Sequence, residues 1–271
     1  MIFRRPHARL ALAFAIASAT PALATAQTDP YAGYESLLRA VVRNDGVDYR
    51  ALRQRIGELR AFSQWLAEHG PTATPAEFAG RDAQLAYWLN AYNATVLRAI
   101  AESPESMRNV LESQPNSGFF RARTHRVDRR SLTLDALENQ EIRARFRDPR
   151  VHVALNCGAR SCPPLSATAF RARTVSAQLD RLASAWVDRS AVTLDAGARV
   201  LRASMLFQWF SDDFAGNIPG RTVAGVSGPL RFVMAFASSA KRAALVSACG
   251  ANLSGCRVEH VPYDWSLNAA Q

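Results

Sequence analysis

The chain is almost without lysine. Of 33 lysines and arginines, Lys241 is the only lysine, and the formal charge is +10. The arginines are scattered and no aromatic platform accompanies a basic stripe, so the charge argues against nucleic acid as a partner. Long apolar runs are missing too. Nothing approaches the roughly 20 apolar residues that span a bilayer, so no membrane span is expected. There is no internal repeat, no low-complexity tract and no interdomain linker. Metal-ligand spacing is also lacking. The Cys-x4-Cys of Cys157 and Cys162 has no second tight ligand pair, and zinc usually takes four ligands. No metal and no cofactor is implied.

What is present begins with an address. Arg4, Arg5 and Arg9 precede the short apolar run "LALAFAIASA" (Leu10 to Ala19), and "ALATA" follows with small residues at cleavage positions. The expectation is a signal peptide over residues 1–26, cleaved after Ala24 or Ala26, and a soluble periplasmic or secreted protein. Losing three arginines lowers the formal charge to about +7. The remainder, residues 27–271, is the length of one large domain or two small ones and is read as a single domain. Four cysteines in an oxidising compartment make two disulfides the default, paired by proximity as Cys157–Cys162 and Cys249–Cys256.

Hydrophobic periodicity predicts helices over 31–44, over 50–70, over Arg81 to Ser103, over 174–189, in "MLFQWFSDDF" and over 229–248. The helix from Arg81 is the most apolar, with Leu85, Leu89, Tyr92 and Val96 in one stripe and Trp88, Ala91 and Thr95 widening it. Asn90 and Asn93 share one of its faces. Such amides either tie the helix to neighbouring backbone or orient a catalytic side chain. "FFRARTHRVDRRSLTL" alternates as a hairpin, and Thr133 caps the helix that follows. "VHVALN" alternates as a strand, "AVTLDAGARVLRAS" reads as a second hairpin, and "CRVEHVPYDW" as a closing strand. The fold class is α+β: a helix-rich single domain on a small, mainly antiparallel sheet.

The stretch that carries chemistry is "DPRVHVALNCGARSCPPL", residues 148–165. A cysteine nucleophile needs a lowered pKa, a base in reach and a group that orients the base. Cys157 sits where the chain turns at Gly158, and His152 lies five residues upstream. In an extended strand the two stand roughly 16 Å apart, so they pair only if the chain bends after Leu155. His125 and His260 are the other candidate bases; His69, at the end of a surface helix, is a poor one. The residues leave two readings open: a Cys157–Cys162 disulfide, or Cys157 as a reactive thiol.

"LTLDALENQEIRARFRDPRVHVALNCGARSCPPL", the helix "AYWLNAYNATVL" and the terminal "YDWSLN" resemble, in order, the signature segments of the family of domains of unknown function 547. The likeness runs from about 46 to 268. The family has been suggested to be a distant relative of papain-like and transglutaminase-like cysteine enzymes, so the resemblance implies such a fold. It implies as catalytic candidates Cys157, His152, Glu138 and Asn156, with Asn90 and Asn93 in support. The chain departs from the family at Asn139, where many members carry histidine after the Ile-Glu pair. Cys249 and Cys256 lie outside the motifs, which leaves them a structural bridge.

Two functions follow as expectations. The first is a cysteine hydrolase or acyl-transferase acting on peptide or cell-envelope amides. In it Cys157 attacks, His152 is the base, Glu138 or Asn156 orients the imidazole, and backbone amides from Gly158 to Arg160 hold the oxyanion. The second is a non-catalytic binding or scaffold module with Cys157 and Cys162 oxidised and a protein partner. A third reading makes the motif residues structural, with Asp264 pairing an arginine such as Arg150.

Overall fold

A computed structural model describes residues 29–44, 46–111 and 118–270 of the chain. The expected signal peptide lies outside the described residues.

The centre is the helix Arg81–Ala101. Every residue from Leu85 to Leu97 is buried, followed by Ala99, Ile100 and Ala101. A helix apolar on all sides belongs inside a core, and each Leu or Trp so enclosed contributes about 1.5–3 kcal/mol. Around it pack Pro30–Val41, which buries Tyr34, Leu37, Leu38 and Val41, and Ile56–Glu68. The second of these was expected to be continuous from about residue 50. It breaks at Arg55, whose backbone leaves the helical region (φ −105°, ψ 19°), giving a short helix Tyr49–Gln54 before it. Tyr87 Oη reaches the carbonyls of Leu66 and His69, both at 2.8 Å, and so meets the orphan acceptors at that helix's end.

The hairpin pairs Thr124–Val127 with Arg130–Thr133, register Val127 with Arg130. Its two-residue turn puts Asp128 and Arg129 at φ 54° and 56°, the conformation that two-residue hairpins require. The Asp128 carboxylate is buried and accepts the Thr72 and Ala73 amides at 2.9 and 2.7 Å. A second hairpin, Val192–Asp195 with Val200–Ser204, is extended by Arg257–Val261, which pairs in parallel with Val200–Ser204. Among the described residues strand pairing is therefore mainly antiparallel, in three small sheets whose one parallel strand pair is this one. No described helix is long and apolar enough to cross a membrane.

The strand expected at "VHVALN" does not form. Pro149–Val153 is a 3₁₀ turn, with Pro149 at its start and the Asp148 carboxylate accepting the Arg150 amide at 3.0 Å. Proline presets the helical φ and Asp caps it. The alternation misled because Val151, His152, Val153 and Ala154 are all buried; no face of this segment meets water. Arg150 is buried with them and pairs Asp148 and Asp180, each at 2.7 Å.

Hydrophobic side chains gather in two clusters. One surrounds the central helix; the other is built on Trp186, Phe207, Phe214 and Phe232. Val151 belongs to the first and Val153 to the second. His152 is thus carried on the seam between them.

Candidate active site

On that seam lies a cavity of about 370 Å³. Its wall is aromatic, from Tyr92, Phe120, Trp209, Phe210, Tyr263 and Trp265, and Trp209 stands 44% exposed at the rim. Into it open Cys157, Cys162, His152, Glu138 and Arg143. An apolar concavity holding a few converging polar groups is the usual form of a small-ligand site.

The polar groups are individually fixed. His152 is sandwiched by Phe210 and Phe214, ring centroids 4.2 and 5.0 Å away. Its Nε2 lies 2.8 Å from Asp213 Oδ2, which also accepts Arg143 Nε at 2.7 Å. Arg143 covers the Phe210 ring, 4.5 Å from its centroid, and donates to Asn139 Oδ1. Asn139 lines the same cavity. Hydrogen bonds from His152 and then from Arg143 hold Asp213 down at about 2. At neutral pH Asp213 is thus an acceptor only, so the nitrogen facing it, Nε2, carries a hydrogen and Nδ1 is the nitrogen whose proton the contact leaves unset.

Glu138 is displaced the other way. Burial pushes its carboxyl up, partly offset by the charge of His152 and by the Tyr92 hydroxyl, which donates to it at 3.1 Å. It sits on the wide π-helical segment Leu137–Arg143, which follows the capped turn at Thr133. Two carboxyls that sense one histidine, Asp213 by contact and Glu138 through its charge, with oppositely displaced pKa values are a pattern of acid–base sites.

Cys157 and Cys162 are bridged, as are Cys249 and Cys256. The Cys157 amide donates to Cys162 Sγ at 3.0 Å, and Tyr263 Oη lies 3.3 and 3.2 Å from the two sulfurs. Burial, and then Glu138, push the Tyr263 hydroxyl up, which keeps it a donor. The bend at Gly158 is dictated sterically. Its φ is +82°, and a Cβ there would stand 2.4 Å from Ile100 Cδ1 on the central helix.

The other expected site residues serve the loop. Asn93 donates to Ala154 O at 2.8 Å and accepts the Asn156 amide at 2.9 Å, holding the backbone just ahead of Cys157. Asn90 makes the same two-way contact with Phe170, 2.9 Å each way. Asn156 does not orient the imidazole. Its side chain bonds Pro163 O, the Gly158 amide and Asn268. Nor is Glu138 the group hydrogen-bonded to His152; Asp213 is. The oxyanion amides expected at Gly158 and Arg160 are occupied, by Asn156 Oδ1 and Ser266 O at 3.0 and 2.8 Å. Asp264 is exposed and accepts the Ser266 amide, while Arg150 pairs elsewhere. Among the other histidines, His69 pairs Glu77, His260 is exposed on the last strand, and His125 lies in the first hairpin, where burial holds it down at about 4.

Asp213, Arg143 and Tyr263 were not singled out from the sequence. Tyr263 had a signal, since it opens the "YDWSLN" motif. Asp213 had none: its bond to His152 spans 61 residues.

No curated protein and no solved structure matches the chain. The model of the family described as "Protein of unknown function, DUF547" matches residues 75–187, a span that holds Asn90, Asn93, Glu138, His152, Asn156, Cys157 and Cys162, and this match supports assigning the chain to that family.

Proposed function

We propose that the cavity is the site of a cysteine-dependent acyl transfer, hydrolytic or to an amine, in an exported protein that the Cys157–Cys162 bridge keeps latent. The observation that carries this reading is that Cys157 shares the cavity with a histidine whose tautomer is set by an ionised aspartate. Nucleophile, base and orienting acid are the parts of a triad.

A dithiol reductant supplies two electrons and two protons and opens the bridge. Cys157 then gives its proton to His152 Nδ1 as its sulfur bonds the substrate carbonyl carbon. The carbon–nitrogen bond breaks, and the amine leaves with the proton from the imidazole. Water or a second amine attacks the thioester, and Cys157 regains its proton. Two donors suit the oxyanion: the Cys157 amide, which opening the bridge releases from Cys162 Sγ, and the Tyr263 hydroxyl. Ionised Glu138 would stabilise the imidazolium. Export accords with the N-terminal address and the two bridges. A papain-like or transglutaminase-like ancestry would explain the triad but is not needed for it.

The second reading is a binding module with a permanently oxidised cysteine pair. It is favoured by one observation, the bridge itself. Iodoacetamide labelling with and without prior dithiol reduction, followed by peptide mapping, separates the two. Acyl transfer requires that Cys157 become alkylatable after mild reduction, faster than a model thiol at neutral pH. The reduced protein must then turn over peptide or thioester substrates, and Cys157→Ser and His152→Ala must abolish turnover. A reduced Cys157 no more reactive than a model thiol leaves the binding module.

A further inference from the structure

Beside the aromatic cavity lies a second one of about 420 Å³, and the two share Cys162 and Tyr263 as a common border. Their charges differ. The first holds Asp135 and Glu138 as well as arginines; the second is lined by Arg160, Arg189 and Arg202 with no acid at all. Ser190 and Thr193 add hydroxyls from the end of the helical segment Val187–Ala191 and the start of the strand Val192–Asp195.

The three arginines of this cleft differ in how they are paired. Arg202 pairs two acids outside the cleft, Asp195 at 3.4 Å and Glu259 at 3.9 Å. Arg160 and Arg189 form no ion pair among the described residues. Arg160 reaches Ala269 O at 3.4 Å, and its charge is felt by Asp264, which lies outside the cleft and accepts from Ser266. Arg160 and Arg189 thus bring two guanidinium forks without an ion-pair partner to a cleft whose lining has hydroxyls and no carboxylate, and such forks match a planar oxyanion.

We infer that this cleft binds a carboxylate on the substrate or ligand of the neighbouring cavity, such as a peptide's C-terminal or side-chain acid. A ligand crossing the border at Tyr263 places its reacting carbonyl on the Cys157 side and its carboxylate against Arg160 and Arg189. The inference rests on the acyl-transfer reading only for what happens at the carbonyl; recognition of the acid does not need it.

The test is binding of N-acetyl-dialanine, as the free acid and as its carboxamide, to the oxidised protein at low salt, followed by calorimetry. With the bridge closed no acyl transfer intervenes. The acid is expected to bind at least about tenfold tighter than the amide, an advantage that shrinks as salt screens the arginines. Arg160→Gln with Arg189→Gln should erase the preference while the circular dichroism and Tm stay those of the wild type. Arg189→Lys, which keeps the charge and loses the fork, should retain part of it. Equal affinities for the two probes, binding of neither, or a preference that survives the double variant overturns the inference. The two readings fail separately. A reduced protein that never turns over substrate, yet prefers the acid, removes only the enzyme. One that turns over acid and amide alike removes only the carboxylate site.

Discussion

His152 Nε2 and Asp213 Oδ2 stand 2.8 Å apart, and Arg143 Nε meets the same oxygen at 2.7 Å. One carboxylate oxygen therefore fixes the imidazole's tautomer and ties it to a cation lying on Phe210. Asp213→Asn removes the ionised acceptor and lets the ring take either tautomer. In the reduced protein Cys157 alkylation at pH 7 is expected to slow by about tenfold or more, since the thiolate depends on a correctly held base. Wild-type alkylation rates in that variant would separate Asp213 from the site.

Tyr263 is the donor nearest both sulfurs. Tyr263→Phe keeps the ring packed between Trp209 and Trp265, at 4.9 and 4.6 Å, and deletes only the hydroxyl. Turnover by the reduced enzyme should fall by about 10²–10³ in kcat, the loss typical of one oxyanion donor, with KM little changed. A loss confined to KM would make Tyr263 a binding residue only.

Asn93→Ala should cost about 2–5 kcal/mol in urea unfolding, because it strands the buried Ala154 carbonyl and Asn156 amide together. Asn93→Asp keeps the acceptor and should cost less. An Ala variant as stable as the wild type would mean the loop finds other partners.

How far these sites could be read in advance follows from how local their causes are. The central helix was legible because sixteen of its residues are buried whichever way they face, and no polar face blurred the period. Thr133 and the Cys249–Cys256 bridge were legible because caps and short disulfide loops are set by near neighbours in sequence, whereas for Cys157 and Cys162 the sequence left a bridge and a reactive thiol both open. "VHVALN" was misread because period-two alternation identifies a strand only when one face is wet, and here none is. Asp213 was illegible for a different reason. Its helix Ser211–Ala215 has five residues and no pattern of its own; only the packing of Phe210 and Phe214 on His152 brings its acid to the site.

The bridge Cys249–Cys256 closes a loop of sequence separation 7 between the helix Ser239–Cys249 and the last strand. Replacing both cysteines by alanine should destabilise the oxidised protein by about 2–3 kcal/mol, the loop-closure value for so short a ring. Because neither cysteine lines the cavity, Cys157 alkylation after reduction should be unchanged in that variant. A change there would show that the second cluster transmits strain to the first.

The two displaced carboxyls make opposite predictions for stability against pH. Asp213 is held down at about 2 by His152 and Arg143, against roughly 3.9 when unfolded. Its contribution is therefore fully present above about pH 4 and lost as pH falls toward 2, where the folded state can no longer release the proton that the unfolded chain binds. Glu138 is raised by burial, so the folded state holds a proton that the unfolded chain has already released above its ordinary value of roughly 4.3. That difference costs stability as pH rises through the window between the two values. Glu138→Gln keeps an acceptor for Tyr92 and removes the cost. It should raise Tm at pH 7 and leave it unchanged near pH 3.5, while Asp213→Asn lowers Tm at pH 7 and converges on the wild type near pH 2. Thermal unfolding of both variants across that range checks the signs together. A Glu138→Gln protein less stable than the wild type at pH 7 would mean that the carboxylate gains more from its partners than burial costs it, and its assignment as the raised group would be lost.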